Sequence, residues 1–185
     1  MLKEVYKEAE SRMSKAVAAF RQDLNTVRAG RANPALLDRL TVEYYGTMTP
    51  IKQMANVSAP EPRLLVIQPW DKTALPEIEK AILKSDLGLS PNNDGTLIRL
   101  AIPQLTQERR AELVKIVRRK AEECRVSIRN IRRDINDLIK EMGKEGEITE
   151  DDEHRAQDEV QKFTDGFIEK ADEQLSLKEA EIMEV

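Results

Sequence analysis

Apolar residues recur through the first thirty positions at Leu2, Val5, Ala9, Met13, Ala16, Phe20, Leu24 and Val27, in steps of three and four. A mean step near 3.6 is the period of an α-helix, so these side chains share one stripe that must be buried against a partner. Ala29-Gly30 reads as the stop, because glycine accepts the left-handed conformation that ends a helix. A longer stripe follows at Leu113, Val117, Ala121, Cys124, Ile128, Ile131, Ile135, Leu138 and Met142. Thr106 is placed to cap its start, Glu108 to complement the positive end of the helix dipole, and Gly143 and Gly146 to end it. Thr149 to Asp152 has the spacing of a capping box, with Asp in place of the usual Glu or Gln. Val160, Phe163, Phe167, Ala171 and Leu175 then form a third stripe, which Gly166 interrupts at a cost of about 1 kcal/mol relative to Ala. Two of these helices are about 50 Å or longer at 1.5 Å per residue. None can bury its stripe alone, and the pattern predicts an antiparallel three-helix bundle.

Residues 31–105 follow another rhythm. All eight prolines lie between Pro34 and Pro103, and proline breaks helix interiors. Leu40–Tyr44, Thr47–Ile51, Leu64–Ile67 and Thr96–Ile102 read as strands, with Gly46 and Asn93-Asp94-Gly95 as turn chemistry. Asp71–Ser85 reads as one short helix. The predicted fold class is α+β: an elongated bundle from residues 1–30 and 106–185, carrying an inserted small α/β, mostly β, domain at 31–105. The chain crosses between them twice, near Ala29-Gly30-Arg31 and near Gln104-Leu105. Two adjacent crossings predict a hinge.

Composition narrows the function. The chain has 185 residues, 35% of them charged, with three Phe, one Trp and three Tyr, so its cores are aliphatic. One Cys excludes an internal disulfide, and one Cys with one His leaves no metal site of zinc type. No apolar run approaches the about 18 residues a membrane span needs, so the expectation is a soluble, cytoplasmic protein without membrane contact. The net charge of −4 conceals an uneven distribution, with net +2 over residues 1–30, zero over 31–105, +4 over 106–146 and −10 over 147–185. No phosphate-cradling loop, nucleophile elbow or calcium loop is present. An enzyme would have only His154 and a neighbouring carboxylate, and at a charged helix start that histidine reads as solvated. Cys124 reads as a buried thiol on its stripe, the acidic run 150–153 as dipole complementarity, and Trp70 as packing.

The arginines of the second long helix carry more. With Arg118 as zero and 100° per residue, Arg125, Arg129, Arg132 and Arg133 fall at about −20°, +20°, −40° and +60°, away from an apolar stripe centred near −115°. Their planar forks suit phosphate contact and base stacking. The competing reading is a solvated face paired with Glu122 and the acidic third helix.

Beyond this pattern, Thr26 to Pro34, Gln68-Pro69-Trp70-Asp71, Ser85 to Gly95, Arg99 to Pro103, Thr106 to Arg110 and Ile128 to Asp134 occur in one ordered set. In these, and over essentially its whole length, the chain resembles the bacterial ribosome recycling factor family. The resemblance implies an L-shaped monomer of near-tRNA dimensions with no cofactor, bound metal or catalytic site. Its bundle binds large-subunit ribosomal RNA. Its smaller domain swings while elongation factor G, using GTP, separates the subunits of the post-termination ribosome, with release of mRNA and tRNA. Arg129, Arg132 and Arg133 match the family's arginine-rich motif and inherit an RNA-contact role, followed by Arg110 and, on the same flank, Arg125. Arg28, Ala29, Gly30 and Arg31, with Gln104 and Leu105 on the return strand, inherit the hinge. Ala29, Cys124, Ser127 and Gly166 depart from residues common in that family. A helical scaffold is the alternative function, separable by salt-dependent comigration with ribosomes.

Overall fold

The computed structural model describes residues 1–27 and 30–184. Three long helices, α1 (Leu2–Asn25), α3 (Gln107–Lys144) and α4 (Glu150–Met183), make one compact unit, and residues Arg28–Gln107 make a second. The boundary falls at the first residue of α3, and each unit has its own buried core. In the first, Arg12 pairs with Asp134 at 2.8 Å, while Arg118, Arg125 and Arg110 on α3 meet successively Glu179, Asp172 and the end of α4. With Ala16 meeting Cys124, α3 therefore runs antiparallel to both α1 and α4. The seam is almost wholly aliphatic: Val5, Ala9, Met13, Phe20 and Leu24 from α1, Leu113, Val117, Ala121, Ile128, Ile135 and Ile139 from α3, and Ala156, Val160 and Ala171 from α4 are buried.

The stripes differ from their predicted course at identifiable points. On α1 the buried residue after Met13 is Val17, and Ala16 is only half-buried. On α3 Ile139 is fully buried and Leu138 is 41% exposed. In both cases the steps of three and four allow two neighbours, and packing selects the one nearer the seam. On α4 Phe163, Phe167 and Leu175 are half-buried, while Thr164 is fully buried. Its hydroxyl donates to the Val160 carbonyl at 2.8 Å, which removes the cost of placing a polar atom there. Helix α1 also ends earlier than predicted, at Asn25, where the Thr26 amide and hydroxyl both turn back onto the Asp23 carbonyl, the hydroxyl at 2.7 Å. Gly30 has φ +72° but lies past that end.

Helix ends elsewhere follow local chemistry. At the end of α3 the Glu147 amide bonds Met142 O at 3.0 Å and the Gly146 amide bonds Gly143 O at 3.2 Å, with Gly146 at φ +75°. This is the Schellman arrangement, which needs a left-handed residue at Gly146. The Thr149 Oγ1 accepts from the Asp152 amide at 3.1 Å and the Asp152 carboxylate accepts from the Thr149 amide at 3.3 Å, completing the capping box at the start of α4.

The second unit contains a hairpin, β1 (Thr41–Tyr44) with β2 (Thr47–Pro50), and an antiparallel sheet in the order β3 (Ala55–Glu61), β4 (Leu64–Pro69), β6 (Ile98–Ala101), β5 (Pro91–Asn93). Helix α2 (Leu75–Lys84) covers them, and Leu37, Ile51, Leu65, Ile67, Ile78, Ile82, Ile98 and Leu100 fill the core. The first turn before α2, Lys72–Ala74, is a 3-10 turn capped by Asp71, so the helix proper begins later than Asp71. Strands β3 and β5 carry no sequence signal: β3 ends in Ala-Pro-Glu and is mostly exposed, and β5 is Pro-Asn-Asn. Neighbouring strands recruit them through backbone bonds.

Candidate nucleic-acid interface

Helix α3 turns its aliphatic residues into the bundle, and the same 100° period carries its arginines to the opposite flank. The flank resolves into two rows. Arg118, Arg125 and Arg132, seven residues apart and nearest the seam, reach toward α4. Arg118 Nε donates to Glu179 Oε1 at 2.6 Å, and Arg125 donates from Nε and Nη2 to Asp172 Oδ1 at 2.9 and 2.7 Å. Arg132 Nη1 donates to Gln161 Oε1 at 3.2 Å, and Gln161 passes the contact on to Asp165 at 2.8 Å. Each seven-residue step up α3 is matched by one down α4, through Glu179, Asp172 and Asp165. That antiparallel heptad register is a signal in the sequence that the arginine count alone passes over.

The second row points away from α4. Arg129 donates to Glu122 Oε1 at 3.3 Å, and Glu122 Oε2 accepts from Arg125 at 2.9 Å. The Glu122 carboxyl is held below its usual range chiefly by the Arg125 hydrogen bond, with Arg129 adding to it. Arg133 is exposed and has no hydrogen-bond or ion-pair partner among the described residues. Lys140, at about +40° on the same wheel, is exposed alongside it.

The predicted site residues thus separate by environment. Arg129, Arg132 and Arg133 stay together on the flank; Arg129 shares Glu122 with Arg125, and the charges of Arg132 and Arg133 are uncompensated by carboxylates among the described residues. Arg125 is also there, but its side chain is only 21% exposed and clamped between Asp172 and Glu122. Pairing with Glu122 and α4, the competing reading of this face, holds for Arg118, Arg125 and Arg129. Arg110 is buried, and its Nη1 donates to the carbonyls of Ile182 at 3.3 Å and Glu184 at 2.8 Å, satisfying acceptors at the end of α4. Its guanidinium is committed to the fold.

Of the proposed hinge, Arg28 and Ala29 lie outside the described residues. Gly30 needs its φ of +72°, and a Cβ there would fall 2.9 Å from Leu105 Cγ. The strand leaving Gly30 bonds Ala32 N to Pro62 O at 2.7 Å, and the returning strand bonds Ile102 N to Arg63 O at 2.8 Å, with Arg63 also reaching Gln104 at 3.4 Å. Arg31 is held within the structure as well.

Cys124 is buried, its thiol pushed up by desolvation and placed 3.7 Å from the Ala16 carbonyl. His154 is exposed, 4.0 Å from Glu150. Trp70 departs from its predicted packing role: it is 71% exposed. Among the described residues no group of three or more His, Cys, Asp or Glu is placed to hold a metal ion, and no helix is long and apolar enough to cross a membrane.

Fold and flank define a class: a long-helix bundle with surface-displayed cations, in one chain with a separate antiparallel-sheet unit. Residues 20–183 match the sequence pattern of the family described as Ribosome recycling factor. Curated relatives named ribosome-recycling factor from Heliobacterium modesticaldum and Halalkalibacterium halodurans are 61% and 58% identical, each over 185 residues that span the whole of both chains. A solution structure of the ribosome recycling factor superposes with a TM-score of 0.82 at 42% identity, covering 100% of this chain and 98% of that one. A second similar structure, at 52% identity and TM-score 0.68 over 99% of each chain, is of the T. thermophilus ribosome recycling factor with the E. coli elongation factor G bound to the E. coli post-termination complex. The chain belongs to the ribosome recycling factor family.

Proposed function

We propose that this chain recycles ribosomes after termination, working as a monomeric, cytoplasmic translation factor with no catalytic site of its own. The bundle binds large-subunit ribosomal RNA through Arg129, Arg132 and Arg133. The second unit moves about the Gly30 and Leu105 strands while elongation factor G, using GTP, drives the subunits apart and mRNA and tRNA leave. One observation carries the RNA assignment: among the arginines of the α3 flank, Arg133 has no partner among the described residues and Arg132 meets only a neutral amide, so both have charge to offer a phosphate. Arg125 acts on this surface by holding Glu122, and Arg110 by tying down the end of α4.

The test is a ribosome-binding titration at several salt concentrations. Arg132→Ala and Arg133→Ala weaken binding, and each flattens the slope of log affinity against log salt by about 0.7 to 0.9. Melting temperatures stay nearly constant, because exposed arginines away from the core contribute little to folding. An unchanged slope removes the RNA-contact assignment.

A further inference from the structure

The second unit carries a surface that phosphate binding by the bundle does not use. Tyr45 is 81% exposed and Trp70 71% exposed, in a chain with only seven aromatic residues. Tyr45 and Gly46 form the two-residue turn of the hairpin, with φ of 49° and 78°. Asparagine or aspartate is the favoured residue before glycine in such a turn, and a bulky aromatic in the left-handed region costs backbone energy. At its exposure the ring recovers little of that cost through burial.

The ring is nevertheless held in place. It packs edge-on against Tyr44 with centroids 4.5 Å apart, and its hydroxyl donates to Asp71 Oδ2 at 3.3 Å, beside the Tyr44 hydroxyl at 2.9 Å. Asp71 Oδ1 accepts from the Thr73 amide at 3.0 Å and the Thr73 hydroxyl at 2.6 Å. All four donors are neutral, so the carboxylate keeps a full negative charge that no cation among the described residues offsets. Trp70 immediately precedes it in the chain, just after β4.

We propose that Tyr45 and Asp71, with the exposed Trp70 next to Asp71 in the chain, form a docking site for a protein partner that presents an arginine side chain. A guanidinium stacks flat on an exposed aromatic ring and is attracted by the same carboxylate, so both interactions select one kind of group. A nucleic-acid strand would bring phosphates toward an uncompensated negative charge. A membrane surface would have to desolvate that charge. Large exposed aromatics are also the residues that dominate protein interfaces.

Because Trp70 is the only tryptophan, its indole N–H gives one proton–nitrogen resonance in the full-length protein. Titration with a blocked Gly-Arg-Gly-Arg-Gly peptide shifts that resonance saturably. The lysine counterpart binds at least twofold more weakly, and the glutamate counterpart and oligouridylate leave the resonance in place. Tyr45→Asn keeps the turn, since Asn-Gly suits it, and weakens the arginine peptide at least threefold without lowering the melting temperature. Equal response to arginine and lysine, response to the glutamate peptide or the oligonucleotide, or wild-type binding by Tyr45→Asn overturns the assignment. These measurements use no ribosome, so their outcome is independent of the RNA-contact titration.

Discussion

Asp94 illustrates how much one side chain does in a short turn. Its carboxylate accepts from the amides of Leu97 and Thr96, both at 2.9 Å, and from Arg99 at 2.8 Å, and these bonds, in that order, lower its pKa to about 2. A carboxyl whose folded pKa lies below its unfolded value of about 3.9 favours the folded state at every pH above that value. The contribution falls away as pH drops from about 4 through about 2. Denaturant titrations across this range should show a shallower acid loss in Asp94→Asn than in the wild type, from a lower starting stability. The core offers a larger effect. Ile128 is fully buried between the bundle helices, so Ile128→Ala should cost about 2 to 5 kcal/mol in denaturant unfolding, from lost apolar burial and the cavity left behind.

At the level of elements, α3 and α4 are long polar helices that stay together through a narrow aliphatic seam and, beside it, the Arg118–Glu179 and Arg125–Asp172 ion pairs and the Arg132–Gln161 hydrogen bond. The Arg118 pair is exposed on the arginine side and individually weak. Arg125 is largely covered and held by two carboxylates. The seam sets stability, and these polar contacts set register. Gly166 is the weak place in α4: it lies inside the helix on an exposed position, and an added Cβ would meet nothing within 4 Å. Gly166→Ala should therefore stabilise the protein by about 1 kcal/mol, read as a higher denaturation midpoint with an unchanged slope. Gly146→Ala should do the opposite, because φ of +75° disfavours any Cβ there.

For the whole molecule, two units with separate cores are joined by two strands, and Gly30 is the point on the outgoing strand where side chains are excluded twice, by φ and by Leu105. Gly30→Pro forces φ to about −65° and redirects that strand. On the proposed mechanism, ribosome binding by the bundle persists and subunit splitting with elongation factor G slows, as followed by light scattering. Splitting at the wild-type rate would place all the work in the bundle.

The amino-acid sequence by itself determined the three long helices, the stop at Gly146, the capping box at Thr149 and the α+β class, while the end of α1 fell at Asn25, short of the predicted Ala29-Gly30. Those follow from periodicity, glycine and proline placement and side-chain to backbone bonds between near neighbours, all local in the chain. It also put five arginines of α3 on one flank, since a helical period is local too. Tertiary structure decided which of two adjacent apolar residues enters the seam, as at Val17 and Ile139, and that exposed β3 and Pro91–Asn93 become strands at all. It decided that Trp70 faces solvent and that Arg110 does not, because exposure depends on what another segment covers. It decided as well which arginines keep their charge available, a matter of where Glu179, Asp172 and Gln161 arrive from a helix that begins more than thirty residues after Arg118. Pairing between distant segments is a property of register, and register is settled only when the helices pack.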